Sequence, residues 1–129
     1  MIVVDSSVWI DYFNGVGSAT TRRLDTLLGS QPVLVGDLIL TEVLQGFRHE
    51  ADYRAARTAL GAFPQASMVG PARAVRAADN YRTLRSRGVT VRKTIDVVIG
   101  TFCIDEDHQL LFSDRDFEPL VAHLSLQSA

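Results

Sequence analysis

Five acidic side chains stand where the chain could do chemistry. Asp5 follows the apolar run Ile2-Val3-Val4, and Asp114 and Asp116 follow Leu110-Leu111-Phe112. Asp96 opens a strongly apolar helical stretch beginning at Thr94, and Glu42 falls in the helix expected after Val33-Leu34-Val35. In an α/β protein, strands end and helices begin on one edge of the sheet, so acids at those junctions converge on a single crevice. Crowded carboxylates repel one another unless a cation or protons neutralise them. An all-oxygen ligand set suits Mg²⁺ or Mn²⁺. The pattern points to a metal-dependent hydrolase acting on phosphodiesters.

Each acid also has a plainer use. Asp5 suits a helix N-cap. Asp96 lies in a first helical turn, where the macrodipole favours an acid, although apolar Ile95 and Val97 place it near the core. Asp114 and Asp116 bracket Arg115 and suit a cap followed by a solvated acid. Glu42 is the least selected by pattern. Ile39, Leu40, Val43, Leu44 and Phe47 define a buried stripe, and Glu42 points roughly 130° from its centre, either lining a cleft or facing water. Gly46, one turn on, would leave room for a ligand there. Helical pattern alone does not favour Glu42 over Glu50.

The remaining acids read as surface. Asp25, Asp52 and Asp79 occupy polar helical positions, and Asp105-Glu106-Asp107 reads as a solvated turn. His49, His108 and His123 show no ligand spacing, so zinc is not expected. Neither GxGxxG nor GxxxxGK[ST] occurs, so a nucleotide cofactor finds no support.

The elements that must position these acids alternate. Strands are expected at Ile2 to Val4, Val33 to Val35, Ser67 to Val69, Leu110 to Phe112 and Leu124 to Leu126. Helices are expected from a Ser6 or Ser7 cap to about Phe13, and over Thr20 to Leu28, Leu38 to Arg48 and Ala51 to Phe63. Further helices run from Gly70 to about Arg87, Thr94 to about Asp105 and Asp116 to Val121. This alternation predicts an α/β fold of one domain over residues 1–129, its central, mostly parallel sheet flanked by helices.

Composition is that of a soluble globular chain: 129 residues, 47% hydrophobic and 22% charged. No apolar run reaches the roughly 18 residues of a membrane span. The N-terminus lacks the basic region of a signal peptide. Cys103 is the only cysteine. No internal disulfide can form, a cytoplasmic location is expected, and Cys103 reads as a buried small hydrophobe. The formal net charge is −2, yet 12 of the 13 basic residues are Arg. Arg73, Arg76, Arg82, Arg85 and Arg87 cluster, with Arg92-Lys93 close behind. Arginine suits phosphate contact, and the same run suits a solvated helix face.

Four segments taken together resemble PIN-domain ribonucleases, and within them the VapC toxins of bacterial toxin–antitoxin pairs. They are Val3-Val4-Asp5-Ser6-Ser7-Val8-Trp9, Thr41-Glu42-Val43-Leu44-Gln45-Gly46, Thr94-Ile95-Asp96-Val97-Val98-Ile99-Gly100 and Leu111-Phe112-Ser113-Asp114-Arg115-Asp116-Phe117. Each is weak alone; their order and spacing are specific and span nearly the whole chain. The resemblance implies a three-layer PIN-like fold. It implies that Asp5, Glu42, Asp96 and Asp114 bind one or two Mg²⁺ or Mn²⁺ ions, with Asp116 as an auxiliary catalytic acid. Ser7 would orient that cluster or touch the scissile phosphate. The implied substrate is RNA, tRNA or rRNA among the choices, cut to a 5′-phosphate and a 3′-hydroxyl. The implied partners are a VapB-like antitoxin whose tail covers the acids and a second copy of the chain. Trp9, Tyr12 and Phe13, or the stretch near Ala55 to Phe63, would supply contact surface or else belong to the core.

The same residues admit other readings. A receiver domain would show adjacent acids after the first strand and a late-strand Lys, and a haloacid-dehalogenase-type phosphatase would want an acid where Ser7 stands. A non-catalytic RNA- or protein-binding module would use the acids only as caps.

Overall fold

The computed structural model describes Met1–Ala129. Its sheet is wholly parallel, with strand order β3-β2-β1-β4-β5, formed by β1 (Ile2–Val4), β2 (Val33–Gly36), β3 (Gln65–Ala66), β4 (Gln109–Leu111) and β5 (Gln127–Ser128). Seven α-helices complete the three layers: α1 (Ser6–Phe13), α2 (Ala19–Leu28), α3 (Asp37–Gln45), α4 (Glu50–Gly61), α5 (Gly70–Ser86), α6 (Thr94–Asp105) and α7 (Glu118–Leu124). A single 3₁₀ turn spans Arg115–Phe117.

The apolar runs explain the middle of the sheet. Every residue of β1 and β2 is buried, as a parallel sheet covered on both faces requires. Val4 pairs with Leu111, and the backbone N–H of Asp5 donates to the Leu111 carbonyl at 2.9 Å. The exits of β1 and β4 are thereby held side by side.

Both edge strands depart from the expected positions. The third strand lies at Gln65–Ala66 rather than Ser67 to Val69, because Met68 turns inward. Met68 is fully buried, its backbone N–H donates to Asp37 Oδ1 at 3.1 Å, and its side chain fills the space a Cβ would take at Gly36. The last strand is Gln127–Ser128 rather than Leu124 to Leu126, because α7 continues to Leu124 and ends on Ser125 in the left-handed conformation. Leu126 then points into the core. The expected helix from Asp116 divides into the 3₁₀ turn and α7.

Two other expectations meet the packing. Trp9 is core, 2% exposed, while Tyr12 and Phe13 are half-buried and form an aromatic cluster with Phe47 and Phe63. Cys103 is buried, and burial pushes its thiol up to about 12, so it is an inert apolar filler. Asp105, Glu106 and Asp107 are exposed, with Glu106-Asp107 in a turn, but the first two also take ion-pair partners. Arg73 and Arg76 of α5 bind Asp105 at 3.2 and 2.7 Å, Arg73 also binds Glu106, and its guanidinium lies 5.0 Å from the Phe102 ring centroid. That bracket ties α5 to the end of α6.

Close packing also constrains Gly100 in α6. A methyl group there would collide with the Leu120 side chain of α7, itself fully buried. Gly100→Ala should therefore lower stability by about 1 kcal/mol net, overpacking outweighing the gain in helix propensity. A lower urea midpoint at unchanged m-value is the expected reading.

Candidate metal centre

Topology brings the acids together. The strand order runs outward from β1 in one direction through β2 and in the other through β4, so the crevice outside the carboxyl ends of β1 and β4 is a topological switch point. Asp5 leaves β1 and Asp114 leaves β4 at that crevice. The α3 helix starts directly from β2 on the same edge and carries Glu42. Because α6 leads into β4, it runs against the strands and presents its first turn, with Asp96, to this edge.

The tightest group is Asp96, Asp114 and Asp116, whose nearest carboxylate oxygens all lie within 4.8 Å of one another. Asp5 and Glu42 stand beside it. Burial, and then the charge of Asp5, raise the Asp96 carboxyl to about 7, with Asp114 and Glu42 adding to the rise. Burial also raises Asp5 against an opposing hydrogen bond from Ser7, and burial followed by the charge of Asp5 raises Glu42. Asp114 alone moves down, held by the backbone N–H of Asp116, which donates to Oδ1 at 2.9 Å, and by Lys93.

The plainer uses of these acids separate here. Asp114 does cap the 3₁₀ turn. Asp5 occupies the N-cap position of α1, expected at Ser6 or Ser7, but its side chain makes no capping bond. Its Oδ2 instead accepts from Ser7 Oγ at 2.9 Å, and Ser7 Oγ lies 3.4 Å from Ser113 Oγ across the two strand exits. Asp96 is 4% exposed. Its Oδ2 and the Oε1 of half-buried Glu42 are sealed from solvent with no hydrogen-bond donor. A buried carboxylate oxygen without a donor is costly, and two facing one crevice fit a cation. Glu50, which pattern left level with Glu42, is an exposed partner of Arg54 at 3.0 Å. Gly46 ends α3, with only that helix's own carbonyls near the position a Cβ would take.

The sequence places Arg92-Lys93 with the basic cluster but does not pair them with the acids, as the fold does at the rim. Lys93 Nζ lies 3.4 Å from Asp114 Oδ2, and Arg92 Nη2 lies 3.4 Å from Asp116 Oδ1. The signal was present: Lys93 is the only lysine and immediately precedes α6. Asp96 first, then Asp114, raise its ammonium above the usual range. A cavity of about 390 Å³ between α5 and α6 is lined mainly by apolar side chains and includes none of the five acids.

The chain is similar over nearly its whole length to known proteins. The family model described as PIN domain matches residues 2–121. The chain is similar, at 26% identity over 131 residues covering all of it and 98% of each relative, to VapC ribonuclease Mb1587 of Mycobacterium bovis and to ribonuclease VapC11 of Mycobacterium tuberculosis. Among solved structures, the fold is similar to VapBC2 of Rickettsia felis bound to a DNA fragment from its promoter, with a TM-score of 0.76, 15% identity and coverage of 100% and 98% of the two chains. It is also similar to Mycobacterium tuberculosis VapC20, a sarcin-ricin loop cleaving toxin, with a TM-score of 0.67, 19% identity and 95% of each chain covered.

Proposed function

Because the chain belongs to the PIN-domain family, we propose that its acid centre makes it an endoribonuclease toxin of the VapC type. Mg²⁺ or Mn²⁺ would assist cleavage of tRNA or rRNA, and a VapB-like antitoxin would silence it. The observation that carries this reading is the pair of sealed, donorless carboxylate oxygens, Glu42 Oε1 and Asp96 Oδ2, at a crevice shared by five acids. A set of caps has no reason to bury them so. The relatives named ribonucleases and the likeness to a VapBC assembly support the same conclusion.

The donor set is all carboxylate, which fits a hard divalent cation. Asp96, Asp114 and Asp116 are the closest group, and Asp5 and Glu42 complete the acid lining. A divalent cation bound there would neutralise the crowded acids, offset charge on the phosphodiester and ease ionisation of water.

The chain's own groups do the rest. Ser7 holds Asp5 in one orientation through its 2.9 Å hydrogen bond. The Glu42 carboxyl, its pKa raised by burial and then by the charge of Asp5, would accept the proton of an attacking water. No Ser-His or Cys-His pair faces the crevice, so water is the nucleophile. Cleavage in this sense leaves a 5′-phosphate and a 3′-hydroxyl. No helix is long and apolar enough to cross a membrane, and the proposed substrate and antitoxin would be met in the cytoplasm. A second copy of the chain completes the proposed partners.

Purified protein incubated with a total tRNA and rRNA pool tests the reading. Discrete fragments are expected with Mg²⁺ or Mn²⁺, none with EDTA, and none from Asp5→Asn. Cutting that persists in EDTA would show that the acids serve another purpose.

A further inference from the structure

The Arg-rich stretch divides by what each side chain touches. Arg73 and Arg76 hold Asp105, and Arg87 donates to the carbonyl of His123 at the end of α7, so these three fasten helices to one another. Arg92 and Lys93 alone end on the acid centre. Both contacts are long, at 3.4 Å, and both side chains are largely exposed, 82% and 57%. They extend from the segment between α5 and α6, which forms neither helix nor strand. Their heads can leave the acids without disturbing a packed side chain.

Resting on the function proposed above, we infer that Lys93, seconded by Arg92, is a cationic arm shared between the acid centre and the substrate. Without metal, Lys93 rests on Asp114 and offsets part of the charge of five crowded carboxylates. When a divalent cation takes those oxygens, Lys93 is released to a non-bridging oxygen of the RNA phosphate. A phosphate approaching five carboxylates meets net repulsion even after one divalent ion is bound, so a mobile cation at the rim favours its approach. An ammonium with three donors on a flexible stem suits that exchange.

Such an arm makes two effects of opposite sign, which a misfolded or loosened site would not. Lys93→Gln removes a competitor of the metal and a partner of the RNA at once. By calorimetry, Mn²⁺ should bind the variant roughly three- to tenfold more tightly than the wild type. By anisotropy with a labelled single-stranded RNA and Ca²⁺ in place of Mg²⁺, RNA should bind about tenfold more weakly, with a salt slope smaller by about one. Lys93→Arg should restore RNA binding. Unchanged or weaker Mn²⁺ binding by Lys93→Gln would overturn the proposal, as would unchanged RNA affinity and slope. Wild-type protein that bound no Mn²⁺ at all would instead overturn the metal-centre reading on which the arm depends.

Discussion

Asp96→Asn is expected to lower RNA cleavage at least ~10³-fold while making the metal-free protein harder to unfold. Asp96 contributes to the closest carboxylate group, is 4% exposed and carries an oxygen that nothing in the protein satisfies. The amide keeps the shape of the side chain and removes one charge from a crevice where Asp5, Asp114 and Glu42 all oppose it. It also brings two N–H donors within reach of acceptor oxygens on Asp114 and Asp116. At pH 8 without metal, the melting temperature of the variant should rise by several degrees. Added Mg²⁺ should then raise it less than it raises that of the wild type. A variant that cuts RNA at the wild-type rate would remove Asp96 from the centre.

The second large effect is a pH dependence of stability in the absence of metal. The folded protein holds Asp96 at about 7, well above an unfolded aspartate near 4, so it retains a proton that the unfolded chain has already lost. That contribution to stability is fully present below the unfolded value and is lost as pH rises through about 7. Asp5 and Glu42 shift in the same direction and add to it, whereas Asp114, shifted down, acts only below the ordinary carboxylate range. Chemical denaturation in EDTA should therefore show stability falling by about 3 kcal/mol between pH 4 and pH 8. Saturating Mg²⁺ should flatten the upper part of the curve, since the cation replaces the proton. A flat profile in EDTA would mean that the acids are solvated rather than buried together.

How much of this was legible in the sequence follows from which interactions are local. Ile2-Val3-Val4 reads as a buried strand because burial on both faces leaves no polar alternation, and α6 reads as a helix because its apolar residues recur at helical spacing. The junction acids were visible for the same reason: a turn from strand to helix has a sequence signature. Glu42 was not separable from Glu50 by pattern, because only the packing of α3 against α1 and β2 brings Glu42 to the crevice, while Glu50, on α4, meets Arg54. The edge strands shifted because two residues of strand carry almost no periodic signal, and the buried side chains of Met68 and Leu126 set their ends. The roles of Arg73 and Arg76 depend on partners about thirty residues away across a helix pair, which local reading cannot supply.

The pairing of β1 with β4 has a consequence for how the protein is born. Of the five strands the central one is made before the others, yet its β4 neighbour lies more than a hundred residues further along the chain. Non-local parallel pairing of this kind is slow to close. Asp5 therefore waits beside an incomplete crevice until Asp114 and Asp116 have been synthesised and β4 has docked. A nascent chain holds the first acid of a nuclease but not the nuclease, and cutting power arrives only after β4 and the acids that follow it have been made and docked.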